Sequence, residues 1–195
     1  MRKLHLVILV VLSAACGPAF SNSLISPGPR TGIARSSLSA TPADEWNKLS
    51  YRGGKHVELW TIDGDGLDKV TFYGGIEVGQ PLFKEADKKN KPLPRVTPNM
   101  LITDIPALLE TSYRSQFSVN QMSIDSEEPA IVSGHKGVRF TYTFVKNEED
   151  VVRKGEGVGV FVDDRLYIVC YEAPAIHFFD KDIEKFRQLA GTLKI

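Results

Sequence analysis

The residues able to do chemistry in this 195-residue chain are few and scattered. The stretch Asp63-Gly64-Asp65-Gly66-Leu67-Asp68 begins like a calcium loop. Such a loop needs oxygen ligands at alternate positions and a bidentate Glu at the twelfth. Here Leu67 takes the third ligand position and Gly74 the twelfth, so the residues read as a tight hairpin turn. His56, His135 and His177 are not spaced with another His or Cys as metal ligands would be, and neither H-E-x-x-H nor C-x-x-C occurs. No serine sits in G-x-S-x-G, and Gly53-Gly54 and Gly74-Gly75 lack the phosphate-loop and dinucleotide patterns. The carboxylate pairs Glu127-Glu128, Glu148-Glu149 and Asp163-Asp164 fall at predicted turns, where solvated acids keep ordinary acidity; proton transfer at neutral pH would need burial or a close partner. The sequence therefore calls for no catalytic residue, no metal and no cofactor.

The two cysteines have different prospects. Cys170 lies in the apolar run 166–171 with no cation beside it, which predicts a buried, unreactive thiol. Cys16 follows a leader in which Arg2 and Lys3 precede an apolar run over 4–12, too short to span a bilayer of ~30 Å. Leu12-Ser13-Ala14-Ala15-Cys16 resembles the bacterial lipobox, with Ser13 where that motif usually has Leu. The resemblance implies lipidation at Cys16 and attachment to the membrane. Gly17, in place of the Asp that commonly retains lipoproteins at the inner membrane, implies an outer-membrane address where the host has one. Ordinary cleavage after Ala15 or Ser21 is the alternative, and would leave a soluble periplasmic or secreted protein.

Processing before Cys16 takes Arg2 and Lys3 from the 24 basic residues, leaving 22 against 24 acidic ones. So balanced a chain gives no reason to expect nucleic acid or strongly anionic lipid as a partner. The organisation read from it is a signal peptide over 1–15, a lipid-anchored flexible linker over 16–40 rich in Ser, Gly and Pro, and one domain over 41–195.

Within that domain the centre is 157–173, two strands joined at Asp163-Asp164. Leu166, Ile168 and Cys170 share one alternation phase, Tyr167, Val169 and Tyr171 the other, so both faces must be covered. Thr41-Pro42-Ala43-Asp44-Glu45 predicts a short helix to about Leu49. Residues 56–62 and 67–73 predict a hairpin, and 74–99, with its glycines, prolines and the charged run 84–91, a long exposed loop. A helix over 105–117 presents Ile105, Leu108, Leu109, Ser112, Tyr113, Gln116 and Phe117 on one side. Strands follow over 119–124, 130–133, 137–145 and 150–162, with a turn at 127–129. A last helix starts near Asp180 and stops at Gly191, and the final TLKI can add an edge strand. The expected fold class is α+β: a mainly antiparallel twisted sheet with helices on both faces.

The glycine-bounded hairpin ending in Leu166-Tyr167-Ile168-Val169-x-Tyr171-x-Ala173-Pro174, the run His177-Phe178-Phe179 before a terminal helix, and the pattern W-T-x-D-G-x-x-L-D over 60–68 together resemble small bacterial envelope lipoproteins of unknown role. The resemblance covers roughly 41–195 and implies a PsbP-like α/β/α sandwich, a fold also found in a photosystem extrinsic subunit and a Ran-binding nuclear import factor. Its members act mainly as binding or accessory proteins. The expected function is therefore a non-enzymatic envelope module that binds a protein or small ligand through the 74–99 loop and the nearby sheet edge. The alternative is a hydrolase or metal-dependent enzyme whose site is assembled from distant residues, for instance His56, His135 or His177 with an acid. It requires two of those histidines to meet in a cleft.

Overall fold

The computed structural model describes residues 22–117, 119, 121–147 and 150–195; the leader and Cys16 lie outside the described residues. The hairpin at the sequence's apolar centre is strands β7 (Val152–Val162) and β8 (Arg165–Pro174). They pair without interruption from Val162↔Arg165 to Arg153↔Pro174. Asp163 (φ 49°) and Asp164 (φ 58°) form the turn. Both take the left-handed conformation that a two-residue hairpin turn requires and that Asp tolerates.

Six more strands extend this hairpin: β1 (Ser23–Ile25), β2 (Trp46–Lys48), β3 (Val57–Thr61), β4 (Lys69–Glu77), β5 (Gln121–Val132) and β6 (His135–Val145). The order across the sheet is β1-β2-β3-β4-β8-β7-β6-β5, every neighbouring pair antiparallel. Helix α1 (Ile105–Phe117) leads into β5, and α2 (Phe178–Gly191) follows β8.

The two phases of β8 separate as their alternation requires. Leu166, Ile168 and Cys170 join one buried cluster with Ile105, Leu108, Leu109 and Tyr113 of α1. Tyr167, Val169 and Tyr171 join another with Phe179, Ile183, Phe186 and Leu189 of α2. Each large apolar side chain so buried stabilises the fold by ~1.5–3 kcal/mol relative to exposure. On β7, Glu156, Val158 and Val160 take the second phase, while the first carries Gly155, Gly157 and Gly159 between Arg153 and Phe161. The missing side chains make room for Tyr142 and Phe140 of β6 and for Ile105, which lie against those three glycines.

Several local expectations are corrected. Residues 46–48 are a strand, not the end of a helix, because Trp46, 1% exposed, reaches the core only when β2 pairs between β1 and β3. The linker expected up to residue 40 is folded from residue 22 onward. Ile33, Ala34, Leu38 and Ala40 are buried against the α2 cluster, and Ser39 bridges Lys194 near the chain's end. Polar, aperiodic composition concealed this segment because it packs through turns and isolated bridges.

The turn expected at 127–129 does not form; β5 runs through it, with a bulge at Ile124/Ser126. Pro129 is tolerated there because β5 is an edge strand, where a missing N–H breaks no central ladder. Helix α2 starts at Phe178 after His177 (φ 69°), two residues before Asp180, and Gly191 is its last residue. The 74–99 segment is not simply exposed: β4 continues through a Gly74-Gly75 bulge to Glu77, and Leu82, Phe83, Leu93 and Val96 are buried beside α1.

Candidate functional site

Three backbone segments meet where β3 begins and β4 ends, and enclose a cleft of about 550 Å³. This lies within the ~300–1,000 Å³ typical of small-molecule sites. The first segment is the turn Ile33–Arg35. Ala34 (φ 53°) and Arg35 (φ 56°) both adopt left-handed backbone, at a cost of about 1–3 kcal/mol each. The turn is held by the Ala34 N–H donating to Glu58 Oε2 at 3.2 Å. Glu58 is itself buried and accepts from Trp60 Nε1 at 2.9 Å and pairs with Lys48 at 2.9 Å. Gly74 completes the fit, since a Cβ there would come within 2.9 Å of the Ala34 Cβ.

Residues 52–56 form the second segment and 80–84 the third. They are joined by the Lys84 N–H donating to Gly53 O at 2.8 Å. Across the base of the loop, Gly79 N donates to Val96 O and Val96 N to Gln80 O, a short ladder that fixes the third segment. Arg95 reinforces it, donating to Gly79 O at 2.7 Å and pairing with Glu85 at 2.5 Å. The cleft therefore stands on hydrogen-bonded backbone.

Ile76, Pro81, Leu82 and Phe83 give the cleft an apolar lining, and Arg35, Arg52, Lys55 and Lys84 supply four cations. Its one acid among the described residues, Glu77, pairs with Arg165 at 3.2 Å. None of the four cations forms an ion pair with another described residue. His56 lies among them with its Nδ1 buried and without a hydrogen-bond partner among the described residues. Burial, and then the Lys55 ammonium, hold its pKa below the usual value; Glu77 opposes them, and Arg165 and Arg35 add to the lowering. Among the described residues, no hydroxyl or thiol lines the cleft.

The remaining sequence candidates are elsewhere. His135 is exposed at the start of β6, and β4, β8 and β7 intervene between β3 and β6, roughly 19 Å at ~4.8 Å per strand. His177 lies beyond the far end of β8, its ring against Phe178. The three histidines do not meet, and among the described residues no three His, Cys, Asp or Glu side chains gather as metal ligands. Asp68 is turn chemistry: buried, it accepts from Ile62 N at 2.8 Å, Asp63 N at 2.6 Å and Thr61 Oγ1 at 3.0 Å. Burial pushes its pKa up, against these bonds. Asp163-Asp164 is the β7–β8 turn, Glu127-Glu128 is exposed on β5, and Glu148-Glu149 lies outside the described residues, as does the lipidation candidate Cys16.

A second polar group is buried within the sheet. Glu172 of β8, 3% exposed, accepts through Oε1 from the hydroxyls of Tyr113 on α1 and Tyr142 on β6, the latter at 2.7 Å. Lys69 Nζ lies 3.7 Å from its other oxygen. Tyr73 is also buried in the α1 cluster, its hydroxyl without a partner of normal geometry among the described residues. Glu172 continues the Leu166, Ile168, Cys170 phase, and a carboxylate in a buried phase was a legible sign of such a network. The cleft gave no comparable sign, because its cations come from segments far apart in sequence.

Comparison with known proteins places the fold. No protein-family model matches the chain, and no curated protein matches it. The solution structure of cyanobacterial PsbP (CyanoP) from Synechocystis sp. PCC 6803 superposes with a TM-score of 0.53 at 13% identity, over 94% of this chain and 98% of that one. LpqN of Mycobacterium tuberculosis, described as involved in cell envelope biogenesis, aligns with a TM-score of 0.33 at 8% identity, over 92% and 86% of the two chains. The chain has a PsbP-like fold: among the described residues, an eight-stranded antiparallel sheet with two α-helices.

Proposed function

We propose that this protein is a non-enzymatic binding or accessory module of the bacterial cell envelope. It is tethered by lipid at Cys16, faces the periplasm, sits at the outer membrane where one exists, and takes a ligand in the cleft between residues 52–56 and 80–84. The cleft carries the reading: a sheet-braced cavity of about 550 Å³ lined by part of the loop that the sequence singled out. A second cavity of about 410 Å³, with Met100, Leu101 and Phe161 on its walls, is also lined in part by the same loop, through Val78, Thr97 and Pro98. The layered form, with a helix on each face of the sheet, is supported by the two buried clusters, one containing α1 and the other α2. The separation of His56, His135 and His177 supports this reading over a hydrolase or metal enzyme assembled from two of those histidines.

Two experiments test this. Gln80 is exposed at the cleft, so Gln80→Trp fills it without entering the core. A small molecule that co-purifies with the unaltered full-length protein, identified by mass spectrometry, will be depleted from this variant; the same complement in both proteins rejects the cleft. Mass spectrometry of the mature N-terminus will find acylated Cys16. An unmodified N-terminus after Ala15 or Ser21 rejects the tether.

A further inference from the structure

We propose that the cleft binds a phosphate-bearing organic ligand, its phosphate held by Arg35, Arg52, Lys55 and Lys84 and its body lying on Ile76, Leu82 and Phe83; this rests on the cleft being the ligand site.

Three independent features converge on it. The first is charge. A chain balanced overall places four cations around one cavity, leaves them without ion pairs among the described residues, and ties up the single acid with Arg165. Gathering like charges is electrostatically unfavourable, and a multiply charged anion removes the repulsion. Four cations exceed what one carboxylate can satisfy but match the several oxygens of a phosphate, which Arg meets in fork geometry and Lys as a point charge.

The second is strain. Arg35 reaches the cleft only through two consecutive non-glycine residues in left-handed backbone, a turn over-determined by Glu58 and Gly74. Strain of this kind persists where surrounding structure holds it, and it clusters at ligand clamps. The third is the Nδ1 of His56, buried and without a hydrogen-bond partner among the described residues. Placed among Lys55, Arg35, Arg165 and Glu77, this ring can become a further donor when an anion enters.

The size of the cavity and its apolar lining decide between a bare ion and a larger molecule. At about 550 Å³ it holds far more than inorganic phosphate, and its aliphatic and aromatic lining favours a carbon-containing body. Phosphate on a soluble metabolite and phosphate in a lipid headgroup share this chemistry.

The test is calorimetric titration of the full-length chain at ~0.15 M salt with pyrophosphate and with succinate, alongside co-sedimentation with phosphatidylglycerol vesicles. Pyrophosphate is expected to bind at one site, at least tenfold more tightly than succinate. Arg52→Ala/Lys84→Ala should weaken it by at least about tenfold, the scale of one or two charge-assisted hydrogen bonds. Lys136→Ala/Lys194→Ala removes the same charge from exposed positions elsewhere and should leave binding unchanged. Vesicle retention lost in the Arg52/Lys84 variant assigns the phosphate to a lipid headgroup; pyrophosphate binding without retention assigns it to a soluble ligand. Equal binding of succinate, or equal loss in both double variants, overturns the proposal. If no phosphate probe binds while Gln80→Trp still expels a co-purified molecule, the cleft stands as the ligand site and the phosphate inference falls. If Gln80→Trp also changes nothing, both fall.

Discussion

Gly155 of β7 lies directly beneath the ring of Tyr142 on β6, so that even a Cβ at this position would overlap the aromatic carbons. The close approach lets the Tyr142 hydroxyl reach across β7 to Glu172 on β8, the register partner of Gly155. Gly155→Ala must displace either the ring or the strand. Overpacking typically costs about 1–3 kcal/mol, and the lost bond to a buried carboxylate adds to it. Urea unfolding should show a loss of about 2–4 kcal/mol; a loss below 0.5 kcal/mol would mean that Tyr142 is free to move aside.

Tyr113 and Tyr142 donate to the same oxygen of Glu172. Tyr113→Phe and Tyr142→Phe should each destabilise, by roughly 1.5–3 kcal/mol for a hydrogen bond to a charged group. Because they share an acceptor, a double-mutant cycle should give a non-zero coupling energy. Strict additivity would contradict the shared site. Tyr73→Phe removes a buried hydroxyl that has no partner of normal geometry among the described residues and should leave stability unchanged or slightly raised.

Burial holds Tyr73, Tyr113 and Tyr142 well above the ordinary tyrosine value of 10.0, and Cys170 well above 9.0. Groups raised in the folded state keep their full contribution below the unfolded value and lose it as pH rises beyond it. Stability should therefore fall from about pH 9 upward, with a slope of up to ~1.4 kcal/mol per pH unit for each group engaged. Unfolding curves at pH 8 and 11 check this, and a flat profile would rule it out.

Cys170 is fully buried beneath Phe140 and α1, beside Gly157, where a Cβ would meet its Sγ at 2.8 Å. Alkylation should be slow in the folded protein and fast after denaturation, and Cys170→Ser should cost roughly 1–3 kcal/mol. Rapid labelling under native conditions would contradict the placement of β8 inside the sheet.

Arg187 of α2 donates to both oxygens of Glu156 on β7, at 3.1 Å from Nε and 2.7 Å from Nη2. Glu156 is 2% exposed, and Arg139 is 3.9 Å away as a weaker second partner. Removing one partner of a buried pair costs about 3–5 kcal/mol. The exposure of Arg187 and the presence of Arg139 put Arg187→Ala near 2–3 kcal/mol, while Glu156→Leu/Arg187→Leu should lose less than the single change. Thermal melts of the three proteins decide it.

What the sequence determined is the material with a period. The two phases of β8 dictated a central strand covered on both faces, the spacing over 105–117 dictated α1, and Asp163-Asp164 dictated the turn between β7 and β8. Repeating backbone geometry writes itself into side-chain order, so it is legible locally. The tertiary structure alone decided that residues 22–40 are folded, that Trp46 starts a strand, and that Arg35, Arg52 and Lys84 face one cavity. Those outcomes come from long-range pairing and aperiodic turns. The energy that fixes them lies between segments distant in the chain, and no local pattern records it.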